Sequence, residues 1–205
     1  MNYSSLLIIG FIVGLSGAVL PGPLLIYIIS KALQGRMVNG VKIVFGHMLV
    51  EVVAIVLILL GLKEAIGSDI VSNILAIIGG LALIMVGLCI IFKATHMKLP
   101  IDTKINFSSG LITGGIFFTA FNPTFPTWWV VIGAPLLSKA LLSGLIGVIM
   151  LTVGHWLADF AWYILISFTV VRGKLWLNDR SYQLILKTLA IILVGFGLWF
   201  IRHLS

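Results

Sequence analysis

The sequence has too few charged residues to cover the surface of a soluble domain. Charged side chains make up 9% of its 205 residues, hydrophobic residues make up 60%, and the mean hydropathy is +1.22. Soluble domains contain about 25% charged residues. The composition therefore excludes an ordinary water-soluble fold and predicts one domain over residues 1–205 that lies within a lipid bilayer.

Cysteine and several catalytic motifs are also scarce or missing. The single cysteine, Cys89, lies in an apolar run, so it has neither a disulfide partner nor a CxxC redox motif. The sequence contains no Walker-type phosphate loop, GxSxG elbow or HExxH zinc helix. The net charge is +7, but the basic residues are dispersed between apolar runs. We therefore expect no ATP-driven pump, no cofactor and no nucleic-acid partner.

Long apolar runs separated by short polar segments make up most of the chain. A transmembrane helix needs about 20 apolar residues. The pattern predicts an all-α membrane protein with six transmembrane helices, numbered one to six in chain order. They are expected at about residues 5–30, 40–62, 70–92, 108–136, 140–171 and 183–201.

The segments that join these helices differ in basic content. Ten of the 13 lysines and arginines lie in the first, third and fifth connections. Because cytoplasmic loops are enriched in basic residues, these three connections are predicted to face the cytoplasm. The chain is then a multi-pass protein of the cytoplasmic membrane with both termini outside.

The two halves of the chain contain a repeat. Residues 30–33 (Ser-Lys-Ala-Leu) recur at 138–141, and the Gly-His-x-Leu-x-acid motif of residues 46–51 recurs at 154–159, both 108 positions later. A looser match relates Gly10 to Gly110 at an offset of 100 positions.

Each half holds three predicted spans, so the second half must cross the membrane in the opposite sense. Repeat one covers about residues 1–93, a linker about 94–106, and repeat two about 107–205. Inverted repeats of this kind are typical of secondary transporters.

Helices one and four are predicted to be interrupted near the middle of the membrane. Pro21, Gly22 and Pro23 interrupt helix one, and Asn122 and Pro123 interrupt helix four. Proline removes a backbone donor, and the freed backbone groups must be buried in protein or line a wet cavity. Paired breaks indicate a transporter site, where the start of a half-helix suits a substrate carboxylate. The alternative is that both breaks only shape packing.

Four ionisable residues lie within the apolar runs. Each of two acids, Glu51 and Asp159, follows a histidine by four positions, His47 and His155. This spacing places acid and imidazole on one helical face, and a charge inside the membrane indicates a functional site. Such groups can bind an ammonium group, relay a proton, ligate a metal or only satisfy each other as packing residues.

Besides the two breaks and the two acids, the chain contains Gly35-Arg36 with Gly40 in its first half and Phe107 in its second. Together these residues resemble the lysine exporter (LysE/RhtB-type) family of amino-acid exporters. The resemblance implies export of amino acids or related small metabolites, driven by proton exchange, with the substrate site between the two breaks. It implies that the half-helix starts near Gly22 and Asn122 hold the substrate carboxylate. Thr124 stands where the family usually has lysine, and the paired histidines are not part of the family pattern. The motifs that carry the resemblance are Pro21-Gly22-Pro23, Gly35-Arg36 with Gly40, Gly46, Glu51, Phe107, Gly110, Asn122-Pro123 and Asp159.

Our prediction is a secondary exporter that performs no covalent chemistry. Two alternatives stay open, a divalent-cation exporter that uses the His/acid pairs and a membrane-embedded enzyme. No metal ligand is assigned, and the glycine-rich helix faces allow a homodimer. The predicted substrate-binding residues are Pro21, Gly22, Pro23, Glu51, Asn122, Pro123 and Asp159, and the predicted proton-coupling residues are Glu51, Asp159, His47 and His155.

Overall fold

The computed structural model describes residues 2–19, 22–34, 37–62, 69–94 and 110–202, and this part of the chain contains helices and no strand. The helices are α1 (Tyr3–Ala18), α2 (Pro23–Gln34), α3 (Val38–Leu59), α4 (Asp69–Ala94), α5 (Leu111–Ala120), α6 (Thr124–Trp128), α7 (Ala134–Leu141), α8 (Gly144–Gly173) and α9 (Asp179–Arg202). A π-helical segment (Trp129–Gly133) joins α6 to α7, and a 3₁₀ turn (Lys174–Trp176) follows α8.

Four described helices are long and apolar enough to cross a membrane, namely α3, α4, α8 and α9. A fifth candidate span is the pair α1 and α2, whose axes are bent by 79° at the break between them. The predicted fourth span is divided among α5, α6 and α7. The described residues therefore contain four or five candidate spans, and the count of six stays a prediction.

The interruption predicted in helix one lies between α1 and α2. Helix α1 ends at Ala18, and α2 begins at Pro23. Proline suits the first position of a helix, because the amide hydrogen that it lacks would have no partner inside the helix there. Gly22 precedes it outside helical structure, and Pro21 lies outside the described residues.

The interruption predicted in helix four follows Ala120. The Asn122 side-chain oxygen accepts hydrogen bonds from the backbone N–H of Thr124 at 3.1 Å and from its hydroxyl at 2.8 Å. Such an Asx turn stabilises a turn in place of a continuous helix. A second disturbance comes from Pro135 at the start of α7, because its ring crowds the preceding turn. The π-helical segment that ends at Gly133 widens the helix just before it.

Helices α1 and α8 cross with their backbones in direct contact. A Cβ atom on Gly10 would collide with the carbonyl oxygen of Leu151. Reciprocally, a Cβ atom on Gly154 would collide with the carbonyl oxygen of Leu7. Glycine is therefore required on both sides of this crossing.

Helices α3 and α5 cross in the same way. A Cβ atom on Gly46 would collide with the carbonyl oxygen of Ile112, and one on Gly115 would collide with that of Ile43. Each of these two crossings therefore joins a helix from the first half of the chain to one from the second half. Helices α4 and α9 form another reciprocal contact, in which Gly80 and Gly197 each face the other's carbonyl oxygen.

The two equivalent crossings give the register between the halves. Gly46 and Gly154 occupy equivalent places, which agrees with the offset of 108 positions found in the sequence. Gly10 and Gly115 also occupy equivalent places, so their offset is 105 positions. The sequence match of Gly10 to Gly110 was therefore wrong by five positions. The short match failed because Gly110, Gly114 and Gly115 lie close together, so more than one alignment pairs a glycine with Gly10.

Most of the outer surface of the bundle is apolar. This is the distribution expected of helices that face lipid instead of water. The glycines Gly10 and Gly14 lie against α8, and Gly114 lies against Tyr27, so contacts within the chain occupy these faces. Large exposed apolar side chains include Ile12, Leu49, Ile70, Met85, Phe92, Leu142, Ile146 and Leu198.

Candidate functional site

The two interrupted helices meet α3, α4, α8 and α9 around a cavity of about 640 Å³. Both breaks contribute to its wall. Of the residues predicted to form the site, Pro23 is buried at the start of α2 and does not line the cavity, and Pro21 is not described. The predicted residues that line it are Gly22, His47, Glu51, Asn122, Pro123, His155 and Asp159.

The four ionisable residues form one cluster between α3 and α8. The carboxylate oxygen Oε1 of Glu51 lies 2.8 Å from Nε2 of His155 and 3.2 Å from Nε2 of His47. The carboxylate oxygen Oδ2 of Asp159 lies 3.4 Å from Nε2 of His155 and 3.7 Å from Nε2 of His47. The sequence predicted two separate His/acid pairs, whereas the structure joins them.

The two His/acid pairs form one cluster because of the way the helices cross. Gly46 and Gly154 bring α3 and α8 close to their partners, and each histidine is the next residue along its helix. The shortest contact joins Glu51 to the histidine of the other half, 104 positions away. Spacing along one helix predicts only neighbours within that helix. The contacts between halves could not be predicted from it.

Burying charged groups costs free energy unless opposite charges in the cluster balance. Glu51 is 1% exposed and Asp159 is 2% exposed. Among the described residues, Oε2 of Glu51 and Oδ2 of Asp159 have no hydrogen-bond partner. A carboxylate oxygen buried without a partner loses its hydration and is poised to accept a hydrogen bond from a ligand.

The two histidines have different surroundings. Nδ1 of His47 lies 2.9 Å from the hydroxyl of Thr119, which is buried in the last turn of α5. At the corresponding place beside His155, Gly14 has no side chain, and a Cβ atom there would lie 2.8 Å from Nδ1 of His155. A second partner fixes the orientation of an imidazole ring. Thr119 therefore holds His47 in place, and its role was missed by sequence analysis, because nothing in its spacing distinguishes it.

Replacing Thr119 tests this contact. Thr119→Val keeps the shape but removes the hydroxyl, which leaves Nδ1 of His47 buried without that partner. We expect the free energy of unfolding to fall by about 1–3 kcal/mol. Thr119→Ser keeps the hydroxyl and should lose much less of that energy. Denaturant unfolding of both variants in detergent micelles measures the difference, and equal losses would show that the hydroxyl contributes nothing.

Aromatic rings enclose the cluster. The Trp128 ring lies 5.1 Å from the ring of His155, centroid to centroid, and the Trp129 ring lies 5.3 Å from it. Phe125 presents an edge to His47, with the ring centroids 6.2 Å apart. Among the described residues that line the cavity, none is a lysine or an arginine. The cavity is thus acidic at one place and aromatic or aliphatic over most of its wall.

A helical membrane protein with a central cavity bordered by broken helices and buried acids has the architecture of a membrane transporter. The family model described as LysE type translocator matches residues 15–204. The chain therefore belongs to the LysE type translocator family, and it is a multi-pass membrane protein that transports small molecules. No curated protein and no solved structure matches it significantly.

Proposed function

We propose that this translocator exports amino acids or related small metabolites across the cytoplasmic membrane. The observation that carries the proposal is one cavity that contains both the breaks and the buried carboxylates of Glu51 and Asp159, each with an oxygen that has no hydrogen-bond partner among the described residues. Its volume of about 640 Å³ is in the usual range of small-molecule sites, about 300–1,000 Å³. The family and the geometry together favour transport and no covalent chemistry.

The two ends of an amino acid would bind to different parts of the cavity. Its ammonium group would meet Glu51 and Asp159, which are the acids of the wall. Its carboxylate would lie at the breaks, near Gly22 at the start of α2 and near Asn122 and Pro123. The α2 start supports this assignment, because the first amide groups of a helix attract an anion.

Alternating access would come from two inverted repeats of three spans each, in which one half rocks against the other. The reciprocal contacts of α1 with α8 and of α3 with α5 support this arrangement. Both termini would then lie outside. Proton coupling would use Glu51, Asp159, His47 and His155, which exchange partners when the halves move apart. A homodimer would need a surface other than the glycine faces that are occupied within the chain.

Two transport assays on proteoliposomes test the proposal. Counterflow of radiolabelled amino acids measures exchange through the binding site, and it needs no net proton movement because the carrier returns loaded. Uptake driven by an imposed pH gradient measures coupling. The proposal expects exchange of at least one amino acid and stimulation by the gradient. If the full panel of amino acids gives no exchange above empty liposomes, the proposed cargo is wrong.

Divalent-cation export is the second candidate function, and a specific observation favours it. His47, Glu51 and Asp159 each offer a ligand atom, and these atoms lie within 4.8 Å of one another. The four distances between imidazole and carboxylate run from 2.8 to 3.7 Å. A tetrahedral ion with bonds of about 2.0–2.1 Å has ligand atoms about 3.3 Å apart. Flux of Zn²⁺ and Mn²⁺ in the same liposomes, without amino-acid exchange, would favour this candidate.

A further inference from the structure

We infer that the cargo is a neutral amino acid with an apolar side chain, whose carboxylate accepts a hydrogen bond from the indole N–H of Trp128. This inference deepens the proposed function and rests on it. Trp128 is the last residue of α6, the short helix that follows the break at Asn122 and Pro123. From the sequence, Trp128 could line a pocket, but interfacial anchoring and core packing use the same residue type.

Three buried polar atoms of the cavity-lining residues have no hydrogen-bond partner in the described part of the chain. Two are acceptors, Oε2 of Glu51 and Oδ2 of Asp159, of which Oδ2 also lies at ion-pair distance from the two imidazoles, and one is a donor, Nε1 of Trp128. A buried polar group without a partner is destabilising, so a ligand in the cavity that met such groups would bind favourably. Indole N–H can only donate, and an ionised carboxylate can only accept.

The three atoms together select the chemistry of the ligand. A metal ion or a simple amine would satisfy the two acids and leave the indole N–H of Trp128 unpaired. An anion would satisfy the indole but would be repelled by the acids. A zwitterion satisfies both, since its ammonium group donates to Glu51 and Asp159 and its carboxylate accepts from Trp128.

The position of Trp128 is fixed by its neighbours. Its ring packs on His155 and makes an edge contact with Trp129, at 5.3 Å between ring centroids. On another side it faces Gly17, where a Cβ atom would lie 3.2 Å from Nε1. The ring is therefore held beside the acidic cluster, in the cavity wall, with its N–H edge against Gly17.

The rest of the cavity determines the side chain of the cargo. No lysine or arginine among the described lining residues is present to pair with an acidic side chain. A basic side chain would add a second positive charge against an aliphatic and aromatic wall, without a further acid to meet it. An apolar side chain fits this wall, which includes Leu24, Leu25, Phe118, Ile132 and Phe200.

Two other tryptophans provide matched controls. The indole N–H groups of Trp156 and Trp162 also lack a partner among the described residues, but neither residue lines the cavity. Trp128→Phe, Trp156→Phe and Trp162→Phe make the same chemical change, which removes the N–H and keeps an aromatic ring. Only the first change removes a donor from the cavity.

The experiment measures counterflow of L-leucine and its inhibition by 3-methylbutylamine, which is leucine without the carboxylate. We expect Trp128→Phe to raise the half-saturation concentration of leucine about tenfold, because the variant loses one hydrogen bond to the charged carboxylate. Inhibition by the amine should change less than about twofold, because it has no group for the indole to bind. Both control variants should resemble the unmodified protein, with thermal unfolding as the check on folding.

The outcomes separate the two proposals. Equal effects of Trp128→Phe on leucine and on the amine, or equal effects in the control variants, would overturn the role of Trp128. Exchange of basic or acidic amino acids but not of leucine would overturn the apolar cargo and leave amino-acid export intact. Absence of exchange for every amino acid would contradict the proposed function itself.

Discussion

Glu51→Gln is expected to reduce amino-acid counterflow about a hundredfold. The change keeps the volume of the side chain but removes a charge that is buried and close to both histidines, at 2.8 Å from His155 and 3.2 Å from His47. Removing one partner of a buried, hydrogen-bonded charge pair costs about 2–5 kcal/mol. The negative charge proposed to meet the substrate ammonium is lost in the same step, because the amide keeps an acceptor oxygen but carries no charge.

The pair of transport assays distinguishes binding from coupling in this variant. A residue that only carries the coupling proton should leave counterflow intact and abolish the response to a pH gradient. The proposed function expects Glu51→Gln to lose both, because Glu51 would then bind the cargo itself. Asp69→Asn makes the same change at the exposed start of α4 and should keep both activities. Counterflow near the unmodified rate in Glu51→Gln would remove Glu51 from the substrate site.

Asp159→Asn is a second comparison within the same cluster. The distances from its carboxylate to the two histidines, 3.4 and 3.7 Å, are longer than those of Glu51. We therefore expect a smaller loss of counterflow than in Glu51→Gln, although the two acids occupy equivalent positions in the sequence repeat. The difference in counterflow rate between the two variants would measure how far the roles of Glu51 and Asp159 differ.

The parts of the fold that depend on local sequence could be predicted. The apolar runs at 40–62, 70–92, 140–171 and 183–201 correspond closely to α3, α4, α8 and α9. Hydrophobic length is a strong signal for a continuous span, because the bilayer requires it. The run at 108–136 was less informative, since it contains the breaks that divide it into α5, α6 and α7.

Only those features of the site that are visible within a single helix could be predicted from the sequence. Glu51 and Asp159 were found because an acid in an apolar run is unusual, and the breaks because proline interrupts a helix. Thr119 could not be found, and Trp128 could not be distinguished from a packing or anchoring residue, because threonine and tryptophan are ordinary in membrane helices. Their importance comes from what lies opposite them in space, and the helix crossings determine that arrangement.

Those crossings make the glycine variants informative. Gly46→Ala and Gly154→Ala are each expected to destabilise the protein by about 3 kcal/mol, at the upper end of the usual range for overpacking. The added methyl group would meet a backbone carbonyl oxygen, of Ile112 in one case and of Leu7 in the other. A flexible side chain could move aside, but a backbone carbonyl moves only if the whole helix shifts. That shift would also separate the histidines from the acids.

Gly195→Ala is the matched control for these two variants. Gly195 also lies within a long helix, α9, but a Cβ atom there would have no other atom within 4 Å. Alanine favours a helix over glycine by about 1 kcal/mol, so this variant should be slightly more stable than the unmodified protein. Thermal unfolding in detergent micelles measures all three variants. Equal stability of Gly46→Ala and Gly195→Ala would show that α3 and α5 do not cross at backbone contact, and the cluster between the halves would then lose its structural basis.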